Sequence, residues 1–396
     1  MANGALADIK VLEIGSMFAG PFCGALLGDF GAEVVKLEKP GKPDPLREWP
    51  PTKDGTSILW ATIGRNKCFA TLDISRIEAR AATLALIGRA DVVVENFRPG
   101  TLEKWGLGPA ELAAQFPRVV WVRVSGYGQT GPYSQRGGYA TIAEGYSGLS
   151  SFTGYPDRGP MVSSFPLGDY LAGTYAAFGA LTALNARRAT GRGQVVDVSL
   201  FEPLLRIIES AVVRYDQTGE LKPRLGNQME EDVPRNIYAT KDGFVSISVG
   251  SNAIMANLAA AMGRPEIMAE PRFASIETRV RERDSVDRDV GAWFATLTTD
   301  EAMARAEAHK VVLGRINSMA EVFADAHIAA RGALASVADP HFGTVRMPAP
   351  TPKLSETPGE VRWTGKAPGA DNDHVFRTLL GMDARALDAL RAAGLI

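Results

Sequence analysis

Cysteine is nearly absent. Cys23 and Cys68 lie far apart, with no CxxC or CxxC…His neighbours, which excludes a disulfide framework and a structural zinc finger and fits free thiols in a reducing, cytoplasmic setting. Histidine is scarce as well. His309, His327, His341 and His374 all fall late in the chain and none pairs at HxxxH or HxH spacing, so no metal site is expected and the first half supplies no imidazole for acid–base work. No run approaches the roughly 20 apolar residues of a membrane span, and Met1–Asp8 lacks the basic and long apolar regions of a secretory signal. A charge excess is missing too: at a net charge of -2, nothing points to nucleic acid or an anionic membrane as partner. GxxxxGK[ST] and GxSxG do not occur, which removes a P-loop and the usual hydrolase serine.

What remains is a chain of 396 residues, long enough for two domains, with the 45% hydrophobic content of a large α/β enzyme. Its first half alternates strand and helix patterns. Strands are expected at Ile9–Ile14, Glu33–Glu38, Cys68–Ile74, Asp91–Phe97, Arg118–Ser125 and Gln194–Leu200. Helices are expected at Pro21–Phe30, Arg76–Ala90 and Tyr170–Arg188, with another from Phe201. Strands this apolar, separated by helices, predict a parallel sheet covered on both faces. Residues 217–235 are polar and carry two prolines, which reads as a linker. A smaller domain follows, with two short strands around Asp242-Gly243 and several short helices to about residue 330. The segment from Gly343 reads as Pro-rich and extended, and Asp373–Ala393 as one amphipathic helix.

Gly126-Tyr-Gly-Gln-Thr-Gly131 spells a dinucleotide fingerprint after a strand. Pro132 follows at once, and no acidic residue stands about 20 positions on to meet a ribose. The glycines therefore read as a permissive loop, and a nicotinamide cofactor is not expected. An NAD-dependent oxidoreductase remains only a remote alternative. Lys36, Lys39, Arg65, Lys67, Arg98, Lys104 and Arg136 lie in or beside loops that follow strands, where open α/β sheets bind ligands, so several are candidates for phosphate contacts. Asp169, in Pro166-Leu-Gly-Asp-Tyr170 before a long helix, reads from position alone as an N-cap.

A set of ordered segments changes that reading. IKVLEIGSMFAGPFCGALLGDFGAEVVKLEKPG, RNKCFATLDI, ADVVVENFRPGTLEKWGLG, VRVSGYGQTGPYSQRGGY, PLGDYLAG, GRGQVVDVSL and VADPHFGTVRMPAP together resemble the family III (CaiB/BaiF, formyl-CoA transferase-like) CoA-transferases along nearly the whole chain. The resemblance implies an α/β fold with a large Rossmann-like domain built from residues 1–216 and 331–396. It also implies a smaller α+β domain inserted at 236–330, and an interlocked homodimer. The implied substrates are an acyl-CoA and a small carboxylic acid, with no metal and no NAD. The family's catalytic carboxylate falls on Asp169. Its CoA-contacting positions fall on Lys39, on Leu72, Asp73, Ile74 and Ser75, on Asn96, Phe97 and Arg98, on Lys104, and on Gly137, Tyr139 and Ala140. Substrate positions fall on Phe18 and Ala19, and on Gly250 and Ser251 in the lid segment Val249–Asn252, which holds one glycine here. Ala140 replaces an acidic residue common at its position. Phe18 points to an apolar or larger acyl group, whereas nearby arginines would suit a dicarboxylate such as succinate, and succinyl-CoA is the expected donor. The related 2-methylacyl-CoA racemases carry a Gly-His-Asp segment where this chain has Gly138-Tyr139-Ala140, so α-proton exchange is the alternative activity.

Overall fold

The computed structural model describes residues 4–396. Six strands form its main sheet: β1 (Lys10–Glu13), β2 (Glu33–Glu38), β3 (Lys67–Thr71), β4 (Val92–Glu95), β5 (Val120–Ser125) and β6 (Val195–Ser199). Every neighbouring pair is parallel, in the order β3-β2-β1-β4-β5-β6. Helices α1 (Ala19–Asp29), α2 (Arg80–Arg89), α3 (Ala140–Tyr146) and α4 (Leu167–Thr190) fall among the connections.

Because successive strand residues face opposite sides, a sheet covered on both faces needs apolar residues at every position. Val92 and Val94 join Val11, Val34, Val120 and Val122 in one core, while Val93 joins Leu12, Val35 and Trp121 in the other. Helices α1 and α4 close the first core and α2 closes the second. Each fully buried Val or Leu contributes about 1.5–3 kcal/mol, so the register of these strands is firmly set.

Helix α4 buries a stripe of small residues, Gly168, Ala172, Gly173, Ala176, Ala180 and Ala183. The stripe allows close approach: a Cβ on Gly173 would lie 2.7 Å from the Ala19 carbonyl oxygen. Leading into β6 of a parallel sheet, α4 runs against the strands, and its first turn therefore lies at their carboxyl ends.

The chain divides into two compact units, one of residues 1–149, 162–218 and 329–396 and the other of 150–161 and 219–328. In the second unit β7 (Arg235–Ala239), β8 (Phe244–Ser248) and β9 (Leu313–Arg315) form an antiparallel sheet with β8 central. Its helices include α5 (Asn252–Ala261), α6 (Arg283–Phe294) and α7 (Thr299–Ala308), whose Met255, Leu258, Val290 and Ala302 share a core with Tyr238, Val245 and Ile247 of the sheet. The sequence offered no sign that Ser150–Met161 joins this unit. It does so through long-range bonds, from the Gly226 N–H to the Gly154 carbonyl (2.8 Å) and from Arg224 to the Ser151 carbonyl (3.0 Å).

Two expectations for the last part of the chain need correction. Gly343–Pro348, read from its composition as extended loop although VADPHFGTVRMPAP resembles the family's late strand segment, is a strand (β11) paired antiparallel with β10 (Leu334–Asp339), because the residues around Asp339 turn the chain back on itself. The single helix expected over Asp373–Ala393 is two pieces, a π-helical turn at His374–Leu379 and α8 (Ala384–Ala392). Gly381 adopts a left-handed φ of 68° and stops the first piece, and Asp383 caps the second by accepting from the Ala386 N–H at 2.7 Å. Val375, Phe376, Leu387 and Leu390 from these pieces complete the second core. Among the described residues no helix is long and apolar enough to cross a membrane.

Candidate active site

Strand order reverses direction between β1 and β4, so the loops leaving these strands splay apart and leave a crevice at the carboxyl edge. The loop after β1 is tightly held. Asn96, just past β4, accepts from the Ser16 N–H at 2.8 Å and donates its own amide to the Ser16 carbonyl at 2.7 Å. Gly15 makes this clamp possible, since a Cβ there would lie 2.5 Å from the Asn96 side-chain oxygen. The next residue, Met17, is bent to a φ of 66°, a conformation that costs a long side chain about 1–3 kcal/mol. Its N–H donates to the Asp44 carboxylate at 3.0 Å, which offsets part of that strain.

Beneath the loop lies a buried charge network. Lys36 pairs with Glu13 at 3.0 Å and with Asp44 at 2.9 Å, and Lys67 pairs with Glu13 at 2.7 Å. Burial pulls the Lys36 pKa down, but Glu13, Asp44 and Glu38 outweigh it and hold the ammonium pKa above its ordinary value. Burial would likewise raise Asp44, yet Lys36 and the N–H groups of Leu46 and Met17 overcome it and keep that carboxyl low.

Above the loop opens a cleft of about 850 Å³. Phe18, Ala19, Ser125, Tyr139, Ala140 and Asp169 are among its walls. Asp169 is not the N-cap that its position predicts. Helix α4 begins two residues earlier, at Leu167, and Pro166 takes the cap position, so Asp169 belongs to the first turn. Its carboxylate accepts the backbone N–H of Ala140, the first residue of α3, and Gly168 permits that meeting because a Cβ would lie 3.1 Å from the Ala140 Cα. Burial pushes the Asp169 pKa up to about 6, and only the Ala140 N–H opposes it. Tyr170 turns away and packs edge-on against Phe22 and Phe18.

A second cleft, of about 360 Å³, meets the first along Ser16 and Pro45. Lys39, Leu72, Asp73, Ile74, Ser75 and Phe97 line it, together with Lys42 and Trp105. Lys39 pairs with Asp73 at 3.0 Å, and the Ser75 hydroxyl donates to the same carboxylate at 2.5 Å. Beyond Ser75 a smaller hollow of about 160 Å³ gathers Arg76, Arg80 and Lys104 beside Trp105. An apolar slot with cations at its rim suits a base joined to phosphates. Among the described residues no group of three His, Cys, Asp or Glu side chains could hold a metal ion.

The model of CoA-transferase family III matches residues 6–374. The chain belongs to that family. It is 43% identical over 393 residues to the succinyl-CoA–D-citramalate CoA-transferase of Chloroflexus aurantiacus, covering 99% of this chain and 98% of that one. It is 38% identical to the alpha subunit of the succinyl-CoA–L-malate CoA-transferase of the same organism, over 99% of this chain and 92% of the relative. Among solved structures, a CaiB/BaiF family protein from Brucella suis superposes with a TM-score of 0.86 at 29% identity, over 96% of this chain and all of the other. The protein is thus a family III CoA-transferase, an enzyme whose substrates are CoA thioesters.

For this transferase the fold sorts the residues singled out from sequence. Phe18, Ala19, Asn96, Tyr139, Ala140 and Asp169 meet around one cleft, and Lys39, Leu72–Ser75 and Phe97 around the other. Asn96 spends its amide on Ser16. Arg98 and Gly137 are exposed neighbours, with a guanidinium nitrogen 3.4 Å from where a Gly137 Cβ would be. Arg136 lies over the Tyr133 ring. Lys36, Arg65 and Lys67 are not available for phosphates: the first and last are buried in strands against Glu13, and Arg65 pairs with Asp29 at 2.5 Å. The arginines expected near the acyl group are also displaced, for no lysine or arginine is among the described residues lining the larger cleft. Gly250 and Ser251 lie in the second unit, where Ser251 caps α5 by accepting from the Ile254 N–H at 3.2 Å. Next to it Asn252 accepts from Arg279 at 2.9 Å and donates to the Ala274 carbonyl at 3.0 Å. Both cysteines are free thiols, and burial raises the pKa of each, Cys68 to about 11. Lys42, Trp105 and Ser125 escaped the sequence reading. Lys42 closely follows a strand pattern and Ser125 ends one, so position at a strand's carboxyl end was a usable sign.

Proposed function

We propose that this transferase moves CoA from succinyl-CoA to a small dicarboxylic acid, with Asp169 as the covalent carrier. The observation that carries the reading is Asp169 itself: a carboxyl with no cationic partner among the described residues, half-buried in a cleft that adjoins a slot suited to a nucleotide. With a pKa of about 6 it is mostly ionised at neutral pH, yet burial denies it the full hydration that blunts carboxylates in water. The carboxylate attacks the thioester carbonyl, the C–S bond breaks, and CoA leaves as thiolate from a mixed anhydride. The thiolate then attacks the Asp169 carbonyl and expels succinate, leaving an aspartyl thioester. The acceptor carboxylate attacks this thioester and releases the thiolate again, which takes the new acyl group and frees Asp169. No step requires a proton to be moved, which accords with a cleft whose lining residues include no histidine. The Ala140 N–H, already directed at Asp169, is suited to stabilise charge on its oxygen during the exchange.

CoA is assigned to the second cleft, with Leu72, Ile74 and Phe97 against the base, and Lys39, Lys42 and Lys104 toward the phosphates. The acceptor class follows from likeness to transferases named for D-citramalate and L-malate. We assign residues 1–216, apart from Ser150–Met161, and 331–396 to the CoA-binding domain and 236–330, together with Ser150–Met161, to an inserted one, and we assign the enzyme to the cytoplasm as an interlocked homodimer. Exposed apolar side chains on α4 and on the helices after β6 support the dimer, among them Phe178 (66% exposed), Leu181, Ile207, Val213 (59% exposed) and Tyr215. Mass spectrometry after incubation with acyl-CoA and hydroxylamine tests the central claim. Wild type is expected to carry a hydroxamate on Asp169 with succinyl-CoA, and the Asp169→Ala variant none. Bound CoA without an adduct from any donor would overturn covalent transfer.

A further inference from the structure

Glu95 and Arg123 stand opposite each other in the pairing of β4 with β5. Strand alternation puts both on the side of Val93 and Trp121, the second core, against which Phe97 and Trp105 also pack. Both charged residues are buried. The Arg123 guanidinium donates from Nε to Glu95 at 2.6 Å, and its two outer nitrogens fork onto Glu103 at 2.7 and 3.2 Å. Glu103 belongs to the short helix Thr101–Lys104 that follows β4, so one cation ties the sheet edge to that helix. Each glutamate stands two residues before an aromatic side chain that lines the second cleft. Glu95 precedes Phe97 and accepts its N–H at 2.7 Å, and Glu103 precedes Trp105. The two rings meet edge-on with centroids 5.3 Å apart. Arg80 adds a second hold, donating to the carbonyls of Trp105 and Gly106 at 3.3 and 3.0 Å. Replacing buried ionic groups by apolar ones of like volume is often neutral or stabilising, so stability alone does not call for this triad. Its forked, directional bonds fix distance and angle more strictly than apolar packing does.

We propose that Arg123 is a positioning residue for the nucleotide end of the CoA thioester: through Glu95 and Glu103 it holds Phe97 and Trp105 at the spacing that receives the base. That role rests on the assignment of CoA to the second cleft. The Arg123→Lys change keeps the charge and loses the fork, and Glu103→Ala releases the Trp105 side alone. The experiment follows entry of labelled succinate into succinyl-CoA and into succinyl-pantetheine, which lacks the nucleotide, for wild type and both variants. In each variant the KM for succinyl-CoA is expected to rise about 10-fold, with kcat and the rate on succinyl-pantetheine unchanged. A merely structural defect slows both thioesters alike. The Glu103 side chain is 40% exposed, so Glu103→Ala answers alone if Arg123→Lys does not fold. Equal losses on the two thioesters, a loss in kcat at constant KM, or no loss at all overturns the proposal. A wild type that takes both thioesters with the same KM instead removes the nucleotide from this cleft, and one that exchanges neither overturns the transferase assignment.

Discussion

Two aspartates at the same edge of the sheet show how differently one side chain behaves. Asp44 is buried and Asp169 half-buried, and each accepts backbone N–H bonds, from Met17 and Leu46 in one case and from Ala140 in the other. Asp44 also has the Lys36 ammonium at 2.9 Å, whereas no cation pairs with Asp169 among the described residues. Their pKa values accordingly move in opposite directions, down for Asp44 and up to about 6 for Asp169. A paired carboxylate acts as a strut that holds the strained Met17 turn. An unpaired one keeps its lone pairs available and pays for that with instability, as expected of a reactive group.

The sharpest way to break this contrast is to neutralise Asp169. The Asp169→Asn variant is expected to lose at least about 10³-fold in CoA exchange, measured with labelled succinate and succinyl-CoA. The same variant is expected to be more stable than wild type at pH 7.5. Folding favours the protonated form of Asp169, so the native protein holds that stability below the unfolded carboxyl value of about 3.9 and loses it as pH rises through about 6. The gain in the variant is therefore about 1–3 kcal/mol at neutral pH, vanishing below pH about 4, and denaturant melts at both pH values check it. In wild type, exchange should fall with acid through a midpoint near 6, where the nucleophile takes up its proton. A profile flat to pH 5 would mean that Asp169 has an ordinary carboxylate pKa.

Removing the partner of the other aspartate has the next largest effect. Lys36→Met leaves Asp44 without its cation and is expected to cost about 3–5 kcal/mol of stability, read from the shift in urea midpoint. A loss below about 1 kcal/mol would mean that water reaches the network. The smallest effect belongs to Lys39, three positions farther along the chain and 53% exposed at its side chain. Lys39→Ala is expected to raise the KM for acyl-CoA about 2–5-fold at low salt, with the difference closing near 0.5 M salt. Equal KM values at low salt would remove Lys39 from the phosphate contacts.

Lys36 and Lys39 also mark the limit of what a sequence reading could reach. Both belong to one strand-and-loop segment, VVKLEKPG, and nothing local tells them apart as phosphate ligands. Their difference depends on Glu13, on the neighbouring strand β1, and on Asp44, brought back by the turn after β2. The strands themselves were legible because a sheet buried on both faces writes itself as unbroken runs such as Val92-Val93-Val94. Composition alone read Gly343–Pro348 as loop, because a hairpin strand in a Pro-rich context lacks that run; the resemblance of VADPHFGTVRMPAP to the family's late strand segment pointed to the strand, and its pairing with Leu334–Asp339 supplies the order.

The sequence by itself determined the six strands and their helices, the family, the free cysteines and the choice of Asp169, since these follow from local periodicity and from ordered motifs. Only the tertiary structure decided which lysines are buried in pairs and which reach a cleft, and that no lysine or arginine is among the described residues lining the cleft beside Asp169. The reason is physical. Hydrophobic pattern and turn chemistry act over a few residues, whereas the state of a charge or a hydroxyl is set by burial and by partners that only the folded chain brings within hydrogen-bond reach.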